Sequence, residues 1–200
     1  MFDVKKAVSE LEPELIGLRR DFHAHPELGY QEFNTSKKVC GYLTALGLED
    51  IQTVTGTGIT AILRGTAGEG KTLLLRADMD ALPVEEKTGL PFASQNPGVM
   101  HACGHDGHTA IQLIVAKILS AHRDAFRGQI KFLFQPNEEE AGALNMINAG
   151  VLEAPHVDAA LALHLWSPIK TGRIGLSEGL ILGTTEEFEL EIIGKAGHTA

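Results

Sequence analysis

The chain has 200 residues, 44% of them hydrophobic and 22% charged, with 22 glycines and a formal net charge of -9. This composition suits one full-sized α/β domain, or one domain and the start of another, with an apolar core. It lacks the basic stripe that a nucleic-acid partner needs and any run near the roughly 18 apolar residues of a membrane span, so neither partner is expected.

The N-terminal MFDVKKAVSELEPEL is charged and helix-periodic, unlike a secretory signal. Residues 3–24 read as an amphipathic helix, with Val4, Val8, Leu11, Leu15, Leu18 and Phe22 on one stripe and Pro26 marking the end. Residues 31–46 read as a second helix closed by Gly47. Strands are expected at 51–55, 59–64 and 72–78, the last nearly continuous in apolar residues, as a central strand should be. A Pro- and Gly-rich loop then runs from Met79 to about His105, long enough to be functional. A helix over 107–122, a strand over 129–135, a helix over 139–149 and a strand over 157–164 follow. Strands alternating with helices predict an α/β fold, a sheet flanked by helices.

From Thr185 the pattern changes. Residues 188–193 alternate apolar and acidic, the mark of a strand with one wet face, so the expected division is 1–184 and the start of a second domain at 185–200. The two cysteines, Cys40 and Cys103, lie in different contexts. A disulfide between them is possible in principle, but they read more simply as reduced thiols of a cytoplasmic protein.

Groups able to bind a metal recur where strands end, which is where open α/β sheets place their sites. Asp78 and Asp80 follow one strand, Cys103, His105, Asp106 and His108 precede a helix, Glu138, Glu139 and Glu140 follow a second strand, and His164 ends a third. Each has a bland reading alone. A Glu run is usually a solvated helix start, a strand histidine a core residue, an Asp before Pro83 a turn former, and an isolated Cys-x-His a buried thiol beside a helix cap. Four such junctions are harder to explain as packing. In Cys103-Gly104-His105 the thiolate and imidazole are ligands of zinc-like metals, and one intervening glycine lets both face one site. The nearby helix start should favour the Cys103 thiolate. Two adjacent carboxylates can divide the work, one holding a metal and the other moving protons. Asp78 and Asp80, two apart, share a face and can support a ligand indirectly. His23 and His25 flank a helix end, where a cation is favourable, and receive no metal role. His108 reads as a cap or packing residue, and His122 and His156 as surface residues.

The stretches RRDFHAHPELGYQE, LLLRADMDALPVEEKTGLPF, MHACGHDGHTA, FLFQPNEEEAGA, ALHLW and GKAGHTA together resemble the M20 metallopeptidase family. The similarity is greatest to its amidohydrolase branch of hippurate, N-acyl-amino-acid and auxin-conjugate hydrolases, and spans nearly all of residues 19–200. It implies a mixed sheet flanked by helices, a zinc-exopeptidase-like catalytic domain, with the beginning of an α+β lid that dimerises. It also implies two divalent metal ions, manganese, zinc or nickel. By position, Cys103, His105, Glu139 and His164 match the metal ligands and Glu138 the general base. Asp80 matches an active-site Asp that supports the metal centre. His198 matches a lid histidine that reaches a partner subunit's site. Most of the wider family has His at the place of Asp78 and Asp where a Cys stands here, and Cys-x-His marks the amidohydrolase branch. Full-length relatives are longer and add another metal-binding histidine near the C-terminus, so the resemblance covers only the N-terminal half.

The expected activity is therefore hydrolysis of the amide bond of small N-acyl amino acids by metal-activated water with Glu138 as base, in a homodimer when full length. A dipeptidase or biosynthetic deacylase of the same family is the alternative. A non-catalytic metal-binding remnant is another if these residues are the whole protein.

Overall fold

The computed structural model describes residues 2–181, 183, 188–195, 197 and 198. The chain divides into two compact units, Met1–Leu165 and Trp166–Ala200. The first contains helices α1 (Val4–Ala24), α2 (Phe33–Ala45), α3 (His105–Ser120) and α4 (Ala143–Asn148), and strands β1 (Glu49–Val54), β2 (Gly58–Arg64), β3 (Thr72–Asp78), β4 (Gln129–Gln135) and β5 (Ala159–Ala162). The second contains no helix or strand among its described residues. The strand expected over 188–193 is thus not formed, and Phe188, Leu190, Ile192 and Ile193 are exposed. An alternating segment becomes a strand only when another strand satisfies its backbone. The expected domain boundary at residue 185 lies outside the described residues.

The five strands form one mixed sheet in the order β1-β2-β4-β3-β5. β2 is antiparallel to β1 and β4, while β3 runs parallel to both β4 and β5. Three parallel strands therefore end at one edge. Successive side chains of a strand point to opposite faces, and the sequence uses this fully. Ile130, Phe132 and Phe134 of β4, with Ile59, Ala61 and Leu63 of β2 and Ala77 of β3, join Phe22 of α1, Val39 and Leu43 of α2 and Leu113 of α3 in the main core. Leu133 of β4 and Leu74 of β3 face the other way, against Met146 of α4 and Val151. Lys131 shares that second face, where its buried ammonium donates to the carbonyls of Val151 and Ala154 at 2.6 and 3.0 Å.

The apolar stripe of α1 is buried only at its C-terminal end. Phe22 is buried and Leu15 and Leu18 pack partly on the core, whereas Val4 and Val8 are exposed. The Asp3 side chain caps this projecting first turn by accepting the Lys6 N–H. The expected helix over 139–149 is broken: Glu138–Glu140 form a single 3-10 turn, and α4 begins only at Ala143. Asn137 (φ 52°) and Ala141 (φ 62°) flank that turn in the left-handed region, which a continuous right-handed helix excludes.

Residues 79–104, between β3 and α3, are tied by backbone hydrogen bonds to the C-terminal end of α1 and the connection that follows it. Ala81 N–H donates to Glu27 O and Gln95 N–H to Ala24 O, each at 2.8 Å. This fixes where the loop returns its Cys103-Gly104-His105 end to the sheet edge.

Candidate metal centre

The sheet edge where β3, β4 and β5 end collects most of the residues expected from the sequence. His105, the first residue of α3, is fully buried. Its Nδ1–H donates to the Asp80 main-chain carbonyl at 2.9 Å, which leaves Nε2 facing the site. Nε2 is buried and has no hydrogen-bond partner. Around it stand Asp78 Oδ2 and Glu138 Oε2, each at 3.7 Å, and Glu139 Oε1 at 3.8 Å. These separations exceed hydrogen bonding but suit ligands sharing an ion.

Cys103 and His164 complete the group. Cys103 Sγ lies 3.4 Å from His164 Nε2. His164 Nδ1–H donates to the carbonyl of Leu165 at 2.6 Å, so Nε2 presents its lone pair toward the thiol. Donor atoms of Cys103, His105 and His164 lie within 4.8 Å of one another, as do those of His105, Glu138 and Glu139. His105 belongs to both sets. An orphaned buried imidazole nitrogen among thiol, imidazole and carboxylate donors fits a divalent metal centre.

A third group of donors within that distance, Asp78, His105 and His108, is not equivalent. Both ring nitrogens of His108 are engaged. Nδ1–H donates to Asp78 Oδ1 at 2.6 Å, and Nε2 accepts the Leu165 N–H at 2.8 Å. Asp78 in turn holds Arg76 at 2.7 Å through Oδ2. The sequence reading of His108 as a simple cap or packing residue misses this, because its two partners are far away in the chain.

The electrostatics follow from this crowding. Burial raises the Asp78 carboxyl, but the His108 hydrogen bond and the Arg76 charge outweigh it and hold the group at about 2. Burial works against a charge on His105, yet the Asp80 hydrogen bond and the charges of Asp78, Asp80 and Glu138 raise its pKa. The site thus favours a positive charge at Nε2. Burial and the Asp78 charge raise Glu138 above an ordinary carboxylate, with His105 and Arg76 opposing. Cys103 departs from the expected thiolate: burial and the carboxylates of Glu139 and Glu138 push the thiol up to about 12. The helix-end charge is outweighed by those acids, and a bound cation would reverse the balance.

Asp80 is a supporting residue in geometry. Its Oδ2 accepts the Glu139 N–H at 3.1 Å, which ties the Glu turn to the residue that orients His105. Glu32 does the same from α2's entrance. Fully buried, it accepts the Thr57 hydroxyl at 2.6 Å and the Asn137 N–H at 3.0 Å. His23, at the C-terminal end of α1, is buried, with Nδ1 at 2.7 Å from Asp106 Oδ2 and Nε2 at 3.2 Å from Glu86 Oε1. Arg19 adds a 2.9 Å contact to the same Asp106 oxygen. His101 is buried with both ring nitrogens lacking a hydrogen-bond partner, and burial pushes it down to about 4. Glu32, His23 and His101 all lie inside the matching motifs, which was their sole signal in the sequence. His25 and His156 are exposed and His122 is half-buried. Both thiols are free. His198 belongs to the second unit, in irregular backbone.

Residues 74–198 match the profile of Peptidase family M20/M25/M40. The chain is 46% identical over 200 residues to an N-acyl-L-amino acid amidohydrolase of Geobacillus stearothermophilus, covering 99% of this chain and 53% of the relative. It is 44% identical over 194 residues to an N-acetyl-L-cysteine deacetylase of Bacillus subtilis, covering 96% and 46%. Its fold superposes with a TM-score of 0.80 and 42% identity on the Bacillus subtilis YXEP protein, a dinuclear metal binding peptidase, over 86% of this chain and 48% of that one. The chain thus spans about half the length of the relatives it matches. With its mixed sheet and clustered Cys, His and Glu donors, the chain belongs to the M20/M25/M40 family of peptidases.

Proposed function

We propose that this chain carries the metal-binding part of an amidohydrolase that cleaves N-acyl amino acids, hippurate-like substrates among them, to a carboxylate and a free amino acid. The observation that carries this reading is the orphaned Nε2 of His105 among Asp78, Glu138 and Glu139, with Cys103 and His164 adjoining. The names of the relatives, an N-acyl-L-amino acid amidohydrolase and an N-acetyl-L-cysteine deacetylase, support the substrate class.

Cys103, His105, Glu139 and His164 would hold two divalent ions, for which this donor mixture admits zinc, manganese or nickel. When bound, such ions lower the pKa of a coordinated water and polarise the amide carbonyl. Glu138 draws the proton from the attacking water and delivers it to the departing amine. Burial and the Asp78 charge raise its pKa above that of an ordinary carboxylate, which makes it a stronger base. Asp80 fixes the direction of His105 Nε2 and the position of the Glu139 main chain. His198 of a neighbouring copy stabilises the charge that develops on the carbonyl oxygen, so the active form is a homodimer. Its location is the cytoplasm, a reading supported by the two free thiols.

The test is Glu138→Gln, assayed on hippurate, N-acetyl amino acids and dipeptides. Turnover of the acylated amino acids should fall by roughly 10²-fold or more, with metal content retained. Near-normal turnover in the variant overturns the role of Glu138. Preference for dipeptides overturns the substrate class, and bound metal without turnover in the native chain points to a non-catalytic metal-binding protein.

A further inference from the structure

Four residues form a continuous path from the sheet to the imidazole of His164. Asp78 ends β3, His108 lies in the first turn of α3, and Leu165 follows His164. His108 Nδ1 lies 2.6 Å from Asp78 Oδ1, and a carboxylate oxygen there accepts the ring's proton. The Leu165 N–H can only donate, so His108 Nε2 carries a lone pair. These two partners fix one neutral tautomer of His108. The carbonyl of that same Leu165 accepts Nδ1–H of His164 at 2.6 Å, which fixes the tautomer of the second imidazole and turns its Nε2 to Cys103.

The Leu165 side chain is seated by the same segment. A Cβ on Gly107 would stand 2.5 Å from Leu165 Cδ1, and one on Gly104 3.5 Å from Leu165 Cβ. Gly107 thus leaves the room that the Leu165 side chain fills, and Gly104 lies in ordinary contact range of it. The backbone and the side chain of Leu165 are both set by residues 104–108. His108 is buried, and its ring lies 4.6 Å from that of His164, centroid to centroid.

We infer that His108 is a positioning residue for the metal centre: bridging Asp78 and the Leu165 main chain, it holds the carbonyl that aims His164 Nε2 at the ion shared with Cys103. This rests on the reading of Cys103 and His164 as metal ligands. His108 itself binds no metal, because neither of its nitrogens is available. Its effect is indirect, through the direction of another ligand.

The experiment is titration of the metal-free chain with Co²⁺ alone. It follows the sulfur-to-cobalt charge-transfer band of Cys103 and, separately, the melting temperature of the metal-free state. His108→Phe keeps the ring's bulk and removes both hydrogen bonds. His108→Gln retains an N–H for Asp78 and an oxygen for Leu165. The expected result is a Co²⁺ affinity about 10-fold or more weaker in His108→Phe, with most of the loss recovered in His108→Gln. Native affinity in His108→Phe overturns the inference while leaving the ligand assignment standing. So does a loss in both variants that merely follows their melting temperatures. A native chain that binds Co²⁺ without the sulfur band, or not at all, overturns the ligand assignment and the inference with it.

Discussion

Asp80 and His105 meet at two points: the imidazole Nδ1–H donates to the Asp80 carbonyl at 2.9 Å and lies 3.3 Å from its Oδ1. The main-chain contact survives any substitution at position 80, whereas the carboxylate also carries the Glu139 N–H. Asp80→Ala should therefore keep His105 aimed but release the Glu turn. Metal affinity is expected to fall by about 10-fold, read by competition with a chromophoric chelator. Asp80→Asn retains an acceptor and should lose less.

Metal binding should also appear as stability. A ligand that binds only the folded chain adds on the order of 2.7 kcal/mol at a hundred times its dissociation constant. Zinc, manganese or cobalt should raise the thermal midpoint, and a chelator should return it to the metal-free value. Differential scanning fluorimetry across a metal series measures both, and a midpoint indifferent to all three ions would contradict the metal centre.

Glu32 supplies a pH dependence of known sign. Burial raises its pKa, with the hydrogen bonds from Thr57 and Asn137 opposing. A carboxyl raised in the folded state favours folding most below its unfolded pKa, 4.5, and that contribution is lost as pH rises through the folded value. Glu32→Gln cannot lose it. Its amide oxygen can accept the Asn137 N–H while its amide N–H donates to the Thr57 hydroxyl. Urea unfolding of the metal-free chains at about pH 5 and about pH 8 should show the native chain losing ground to Glu32→Gln at the higher pH.

Leu113 of α3 is fully buried in the main core, on the helix that begins at His105. Leu113→Ala should cost about 2–5 kcal/mol of unfolding free energy by lost contact and residual cavity. Because it leaves every donor group in place, Co²⁺ affinity of the folded fraction should stay near native. A selective loss of affinity would show that core packing and the site are coupled.

Much of the architecture was legible in the sequence because periodicity reports burial. The apolar runs at 72–78 and 129–135 are observed as β3 and β4 with the same bounds; β4 is buried on both faces, whereas β3 leaves Leu73 exposed. The alternation at 188–193 was read as a strand, and no strand forms there. The Glu run was read as the start of a helix over 139–149. Left-handed residues at Asn137 and Ala141 instead isolate it as one turn; Asn tolerates that backbone, but nothing about Ala141 announces it.

The sequence by itself determined which chemical groups this protein possesses and, through the spacing of Cys103, His105, Glu138, Glu139 and His164, that they gather at strand ends. Only the tertiary structure decided that Nε2 of His105 faces the site and that both nitrogens of His108 are engaged away from it. That depends on partners remote in sequence: the carbonyl of Asp80 for His105, and the carboxylate of Asp78 with the N–H of Leu165 for His108. It also reversed the thiolate expected at Cys103, because the fold brings the Glu139 and Glu138 carboxylates beside the thiol, and their charges with burial outweigh the helix end.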